Sequence, residues 1–431
     1  MPTQHYNKII FTFLNFIKGN TRYLIVLRTI DMIKTFTYKL YHNKRNKKLV
    51  SLLSTANHIY NHCIALHKRH YSKYHKYLDR GTLQKHLTKL KKLRKFQHWN
   101  SLNSQAIQEI TDRIHLGYLK FFNKDNKRPP QFKSKRRYNS FTLKQSGYKL
   151  FNHNGIKINN LNFRFFKSRE LSGDIKTITI KKDSLGDFYI YIVCDDHVNQ
   201  VNRVKTSKTA GFDFGLKTYL TSSDDSRIES PQFLKRALKK IRKSHRYLSR
   251  KQKGSNNRER ARRVLCRAYR KITNQRHDYH FKLAKSLTDK YDEVYFESLN
   301  IAAMKKLWGR KVSDLSFSEF LSILEKYCQK TGTVFCKIGR WEATSKTCHV
   351  CGYVKKDLTL NDRIWVCPNC CHEHNRDLNA AINIKTVGTS TVMGEEVRLV
   401  KLLSNQKKNK LSSYHKSESS DLCATIESLL L

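Results

Sequence analysis

Between residues 45 and 123, Leu49, Leu52, Leu53, Ala56, Ile59 and Tyr60 recur at spacings of three and four, and a second such run covers Ala106 to Leu119. Apolar residues spaced this way fall on one face of a helix, so the stretch predicts a small, basic helical unit. On both sides of it the period shortens to two. "TFTYKLY" at 35–41 and the runs "SFTLKQ", "YKLFNH", "GIKI", "FRFF", "KTITIKK" and "FYIYIVCDD" between about 130 and 195 read as short strands, punctuated by Gly147, Gly155, Gly173 and Gly186. Together they predict a β-barrel interrupted by the helices. Residues 1–31 do not fit this pattern, and Met32, which opens the first alternating run, is a candidate natural start.

Residues 201–209, "VNRVKTSKT", are short, polar and basic and read as a linker. Beyond them "AGFDFGLKTYLTSS" and "YDEVYFESLN" give two apolar strands. Between these, Leu234, Leu238, Ile241 and Leu248, then Ala261, Leu265, Ala268 and Ile272, mark two helices broken at "KGSNN". The expected organisation is an N-terminal extension over 1–31, a β-barrel over 32–44 and 124–202, and a helical insert over 45–123. An α/β domain over 203–343 and 374–395 follows, with a cysteine-rich insert over 344–373 and a Ser-, Lys- and Leu-rich flexible tail over 396–431.

Charge narrows the partners. Among 431 residues, 85 Lys and Arg face 34 Asp and Glu, a formal charge of +51 that repels itself unless a polyanion is present. Phosphate neutralisation releases counterions, and 22 Tyr and 22 Phe offer faces on which bases stack, so nucleic acid is the first candidate. Residues 234–276 hold eighteen Lys or Arg against the single acid Glu259. Lys239, Lys240, Arg242, Lys243, Arg250, Lys251, Lys253, Arg262 and Arg263 are the candidate nucleic-acid contacts, and an ordinary solvated hairpin is the plainer alternative. No membrane partner is expected, because the most apolar stretch, 9–27, is broken by Asn15, Lys18, Gly19, Asn20 and Arg22. Eleven cysteines without a secretory signal, four of them in metal spacing, predict a reducing, cytoplasmic location.

Those four, Cys348, Cys351, Cys367 and Cys370, form C-x2-C-x15-C-x2-C, in which two tight turns present paired thiolates to one tetrahedral Zn2+. A site filled by four cysteines is closed, hence structural. Cys371, His372 and His374 lie beside it and receive no role. Asp213 sits in the middle of an apolar strand, where an unpaired carboxylate needs a cation. "DFG" matches a kinase magnesium loop, but no Gly-rich phosphate loop or HRD-type loop accompanies it. Glu297 ends the strand "VYFE", and Asp377 opens the helix "DLNAAINI", where a plain helix cap is the alternative. Three converging acids are what a pair of Mg2+ ions about 3.5 to 4 Å apart requires for phosphodiester hydrolysis. The clip would then fix a loop whose far end positions Asp377.

"GFDFGLK", "LSRKQKGSNNRERARR", "FESLNIAAM", "TSKTC-x2-CG" and "RDLNAAINI" resemble successive blocks of the TnpB family over about residues 34–395. Its members are encoded by insertion sequences, are related to type V CRISPR effectors and are RNA-guided DNA endonucleases with a RuvC-like, RNase H-fold nuclease domain. The resemblance implies that Asp213, Glu297 and Asp377 are the catalytic, Mg2+-binding acids and that the four cysteines hold zinc in a ribbon. It also implies a guide RNA from the transposon end and a DNA target as partners, and a separate transposase for movement of the element. The barrel and helical insert would correspond to the wedge and recognition lobes. Three positions depart from the family pattern: Cys371 where Gly is usual, Asn375 where Asp is common, and Ser298 where Asp usually follows the glutamate. A non-cleaving RNA-guided repressor and an RNA-independent transposase or resolvase are the rival readings.

Overall fold

The structure, a computed structural model, describes residues 32–196, 205–339, 342–359 and 362–392. The extension over 1–31, the tail over 396–431 and the start of the linker lie outside the described residues. Two compact units divide between Asn199 and Gln200.

In the first unit, strand β1 (Met32–Lys39) leads into α1 (Asn46–Tyr74), α2 (Arg80–Lys91) and α3 (Ser104–Phe122). Asp79 and Asn103 cap α2 and α3 by accepting from the amides of Thr82 and Gln105. Strands β2 (Ser140–Leu143), β3 (Tyr148–Phe151), β4 (Gly155–Ile158), β5 (Leu161–Arg164), β6 (Asp174–Lys182) and β7 (Phe188–Asp196) follow. They form a four-stranded antiparallel sheet in the order β1-β7-β6-β2 and a separate three-stranded meander, β3-β4-β5. Register places Phe36 opposite Ile192 and Tyr38 opposite Ile190, and these side chains share one core with Leu49, Ala56, Ile59 and Trp99 from the helical segment.

The expected barrel is corrected here: among the described residues neither sheet closes on itself. The strands of the meander are four residues each, and Asn152 and Asn159, at φ of 49° and 51°, fold it tightly. One isolated bridge, Leu40 with Phe165, joins the end of β1 to the chain just after β5, and β1 and β2 remain the outer strands of the larger sheet.

The second unit is a mixed α/β fold. Strands β8 (Thr209–Phe214), β9 (Thr218–Ser222) and β10 (Arg227–Glu229) form an antiparallel meander, and helices α4 (Phe233–Ser249) and α5 (Asn256–Lys290) follow. The chain returns as β11 (Glu293–Glu297), passes through α6 (Ile301–Leu315) and α7 (Phe317–Thr331), and ends the sheet with β12 (Val334–Ile338). The order is β10-β9-β8-β11-β12, with β8, β11 and β12 parallel. Phe212, Phe214, Phe296, Phe317 and Phe320 form the core beneath one face. A two-stranded ribbon, β13 (Ile364–Val366) with β14 (Glu373–Asn375), precedes a last helix, α8, over 376–392.

The basic hairpin buries Ile241, Leu265 and Ile272, with Leu234, Ala237, Leu248 and Ala268 packed against them. The second helix continues past the apolar stripe that ends at Ile272 and runs 35 residues to Lys290, because its C-terminal half buries Leu283, Ala284 and Leu287 in the sheet core. Among the described residues no helix is long and apolar enough to cross a membrane.

Candidate functional site

Strands β8 and β11 run parallel, with Phe296 opposite Phe212 and Tyr295 opposite Gly211. The two phenylalanine rings stack on the core side, centroids 5.1 Å apart. Side chains alternate along a strand, so Asp213 and Glu297, one step further along each, turn to the other face at the carboxyl ends of neighbouring strands. Gly211 and Tyr295 share that face, and α8 lies on it. A Cβ at Gly211 would run into the Ala381 carbonyl oxygen and the Lys385 amide, and one at Gly388 would run into the Tyr295 ring. Asp377 is one helical turn before Ala381, while Asp213 is two strand residues beyond Gly211. Both steps cover about 6 Å, so the helix carries Asp377 to the level of Asp213.

The electrostatics agree with this convergence. The Asp213 carboxyl is pushed up to about 8, first by burial and then by the nearby Asp377 and Glu297 carboxylates, with Arg376 pulling the other way. Asp213 lies deep among protein atoms while keeping part of its surface accessible, as a site open to ions requires. Burial also raises Glu297. Three acids forced together in this way suit hard divalent cations with oxygen ligands. Asp377 is meanwhile held by Arg363, whose Nη1 donates to both carboxylate oxygens at 3.2 and 3.1 Å, and Arg376 Nε lies 3.7 Å away. The helix cap is Asn375, not Asp377: its Oδ1 accepts from the amides of Asp377 at 3.2 Å and Leu378 at 3.3 Å. Asp377 is therefore not used up in capping.

Two turns of nearly equal geometry build the cysteine clip. Gly352 N–H donates to the Cys348 carbonyl and Cys371 N–H to the Cys367 carbonyl, both at 2.9 Å. Cys348 N–H reaches Tyr353 O at 2.8 Å, and Cys367 N–H reaches His372 O at 2.9 Å. The four Sγ atoms lie within 4.8 Å of one another, with Cys348–Cys370 at 3.6 Å and Cys351–Cys367 at 3.5 Å. Thiolates around one tetrahedral zinc ion stand about 3.8 Å apart, so this donor set fits structural zinc. Gly352 has φ of 76° and Cys371, at the equivalent place, 55°, so the second turn holds a β-carbon in left-handed backbone.

Residues 191–307 match the family model OrfB_IS605, "Probable transposase", and residues 317–384 match the Cas12f1-like TNB domain. The chain is similar to TnpB-like proteins: one from Acanthamoeba polyphaga mimivirus is 30% identical over 51% of this chain and 45% of its own. A relative from Streptomyces pristinaespiralis, named as a candidate RNA-guided DNA endonuclease, is 29% identical over 72% of this chain and 78% of its own. InsQ of Escherichia coli K12, named in the same terms, is 26% identical over 79% of this chain and 88% of its own. The fold is also similar to a Cas12f1 protein solved by cryo-electron microscopy in a Cas12f1–sgRNA–target DNA complex. The TM-score is 0.53 at 14% identity, covering 82% of this chain and 98% of that one.

Of the predicted basic contacts, Lys239, Lys240, Arg242, Lys243, Arg250 and Lys253 are exposed, and Lys251 is half-buried with its Nζ 4.7 Å from the centre of the Tyr247 ring. Arg262 and Arg263 differ: both ion-pair with Glu259, at 2.6 and 3.3 Å. Sequence reasoning missed Asn379 and Asn383, both buried on α8. Their Nδ2 atoms donate to the Thr347 carbonyl at 2.8 and 2.6 Å and to the Thr344 carbonyl at 3.3 and 2.8 Å, which fastens the clip to the helix bearing Asp377. Two amides four residues apart in the otherwise apolar "NAAIN" were the available signal.

Proposed function

We propose that this chain is a metal-dependent, RNA-guided DNA endonuclease of a transposable element, with a RuvC-like, RNase H-type centre made of Asp213, Glu297 and Asp377. The observation that carries this reading is the convergence of two strand-end acids and one helix acid, close enough that the other two each disfavour ionisation of Asp213. The mixed sheet with Asp213 on its central strand supports it, as do the names of the two bacterial relatives. Two Mg2+ ions, when bound, supply an activated water and a stabilised leaving oxygen. Asp213, Glu297 and Asp377 hold them, which requires Asp213 to give up its proton and Arg363 to release Asp377. The clip, carrying structural zinc, and the Asn379 and Asn383 amides fix the start of α8. The exposed lysines and arginines of α4 and its following turn take the phosphates of the guide and target strands. A guide RNA from the transposon end supplies sequence recognition by base pairing, and a separate transposase moves the element.

The deciding experiment expresses the chain with its native flanking DNA, sequences the copurifying RNA and tests the complex with Mg2+ on a library of matching DNA. Discrete RNA with target-dependent cleavage supports the proposal. RNA-dependent binding without cleavage would make the protein a repressor, and activity without RNA would make it a transposase or resolvase.

A further inference from the structure

His349, His372 and His374 gather beside the cysteine clip, each offering a ring nitrogen within 4.8 Å of the other two. Their ring centroids stand 5.5, 4.8 and 4.7 Å apart. Hydrogen bonding fixes what two of these rings present. The Asn379 Nδ2 donates to two carbonyls, so its Oδ1 faces His349 and accepts from that residue's backbone N–H at 3.1 Å and from Nδ1 at 3.0 Å. Nδ1 therefore carries the proton, and the His349 Nε2 has a free lone pair. His374 Nε2 lies 3.0 Å from Cys348 Sγ. With the clip metallated that sulfur is a thiolate and only accepts, so Nε2 carries the proton and Nδ1 the lone pair. His374 is 2% exposed, and its Nδ1 is buried without a hydrogen-bond partner among the described residues. A buried bare lone pair is costly and calls for a proton donor or a metal.

We propose that these three histidines form a second metal site, separate from the four-cysteine clip, for a borderline divalent ion such as Zn2+, Co2+, Ni2+ or Cu2+. Imidazole suits these ions, and three protein nitrogens leave a fourth position open to solvent. Nitrogens around such an ion lie about 3.4 Å apart, so nitrogens now within 4.8 Å of one another close by at most about 1.4 Å. His372 is exposed on the turn after Cys371 and is free to make that movement. The other two rings are already oriented, since each donates its remaining N–H to a fixed acceptor. The ion would join the first clip turn, through His349, to the second, through His372 and β14, at the same amide that anchors α8. The competing partner for His374 Nδ1 is the indole N–H of Trp365, opposite it on the ribbon, which is also buried without an acceptor among the described residues.

The test is Co2+ titration of the full-length protein prepared with one zinc per chain, in the clip, comparing the wild type with a His349→Gln/His372→Gln double variant. Both substitutions leave the four cysteines and the His374 bond to Cys348 intact. The wild type should bind one more equivalent of Co2+ than the variant, with ligand-field absorption and without thiolate-to-cobalt charge transfer. Elemental analysis should show both proteins retaining the clip zinc equally. Equal Co2+ binding by the two proteins would overturn the site, and is the result expected if Trp365 satisfies His374.

Discussion

At the residue scale, Asp213 couples stability to pH and, under the proposed function, to metal. Folded, its carboxyl holds a proton up to about pH 8, whereas unfolded it releases it near the ordinary value of about 4. The folded state thus holds the extra proton between those values. Stability of chelator-treated protein should be full below the lower value and should drain as pH rises through the higher. A Tm series from about pH 5 to about pH 9 should show that decline, and Asp213→Asn should flatten it. Added Mg2+ should raise Tm more at the alkaline end, because binding must expel the proton. Asp213→Asn should also lower cleavage by more than about 100-fold, beyond the cost of losing a group that only orients a metal ligand, with guide-RNA affinity unchanged. Full cleavage by that variant would remove Asp213 from the centre. Cys371 offers the opposite kind of test. Its φ of 55° strains a β-carbon where Gly352 has none, so Cys371→Gly should stabilise the ribbon by about 1 kcal/mol and slow zinc loss to a chelator.

At the element scale, α8 is what unites the site. It touches the sheet at two glycine contacts, Gly211 beneath Ala381 and Lys385, and Gly388 against Tyr295. Gly211→Ala would push backbone against backbone and lift the helix. The expected cost is about 1–3 kcal/mol in denaturant unfolding, with a loss of Mg2+-induced stabilisation, because Asp377 moves with α8. Unchanged Mg2+ stabilisation would show that Asp377 is placed by something other than this contact. The sequence revealed α8 and its first acid, but not the cap: Asn375 takes the role that the position of Asp377 invited. It also left the β runs of the first unit looking like parts of one barrel. Alternation reveals a strand and its faces, but not its partner, and the four-residue strands paired locally.

At the scale of the whole molecule, charge governs association. A chain with a formal charge of +51 should bind nucleic acid with a steep salt dependence. Replacing Lys239, Lys240, Arg242 and Lys243 with Ala should flatten the plot of log K against log salt by about 0.9 for each duplex phosphate no longer neutralised. Filter binding at several salt concentrations checks this, and an unchanged slope would take α4 out of the interface. Arg262 and Arg263 should contribute less, since Glu259 already neutralises part of their charge.

The sequence by itself determined the first and last helices of the helical insert but not α2, together with the cysteine clip and the three isolated acids. Each of these rests on local spacing: helical period, metal-ligand turns, or a charge set in an apolar strand. Only the tertiary structure decided that Asp213, Glu297 and Asp377 meet. Their separation along the chain is bridged by strand register, two glycine contacts and a pair of buried asparagines, none of which leaves a local pattern strong enough to read. The same holds for the three histidines. Two of their side chains acquire fixed tautomers only when Asn379 and Cys348 are folded against them.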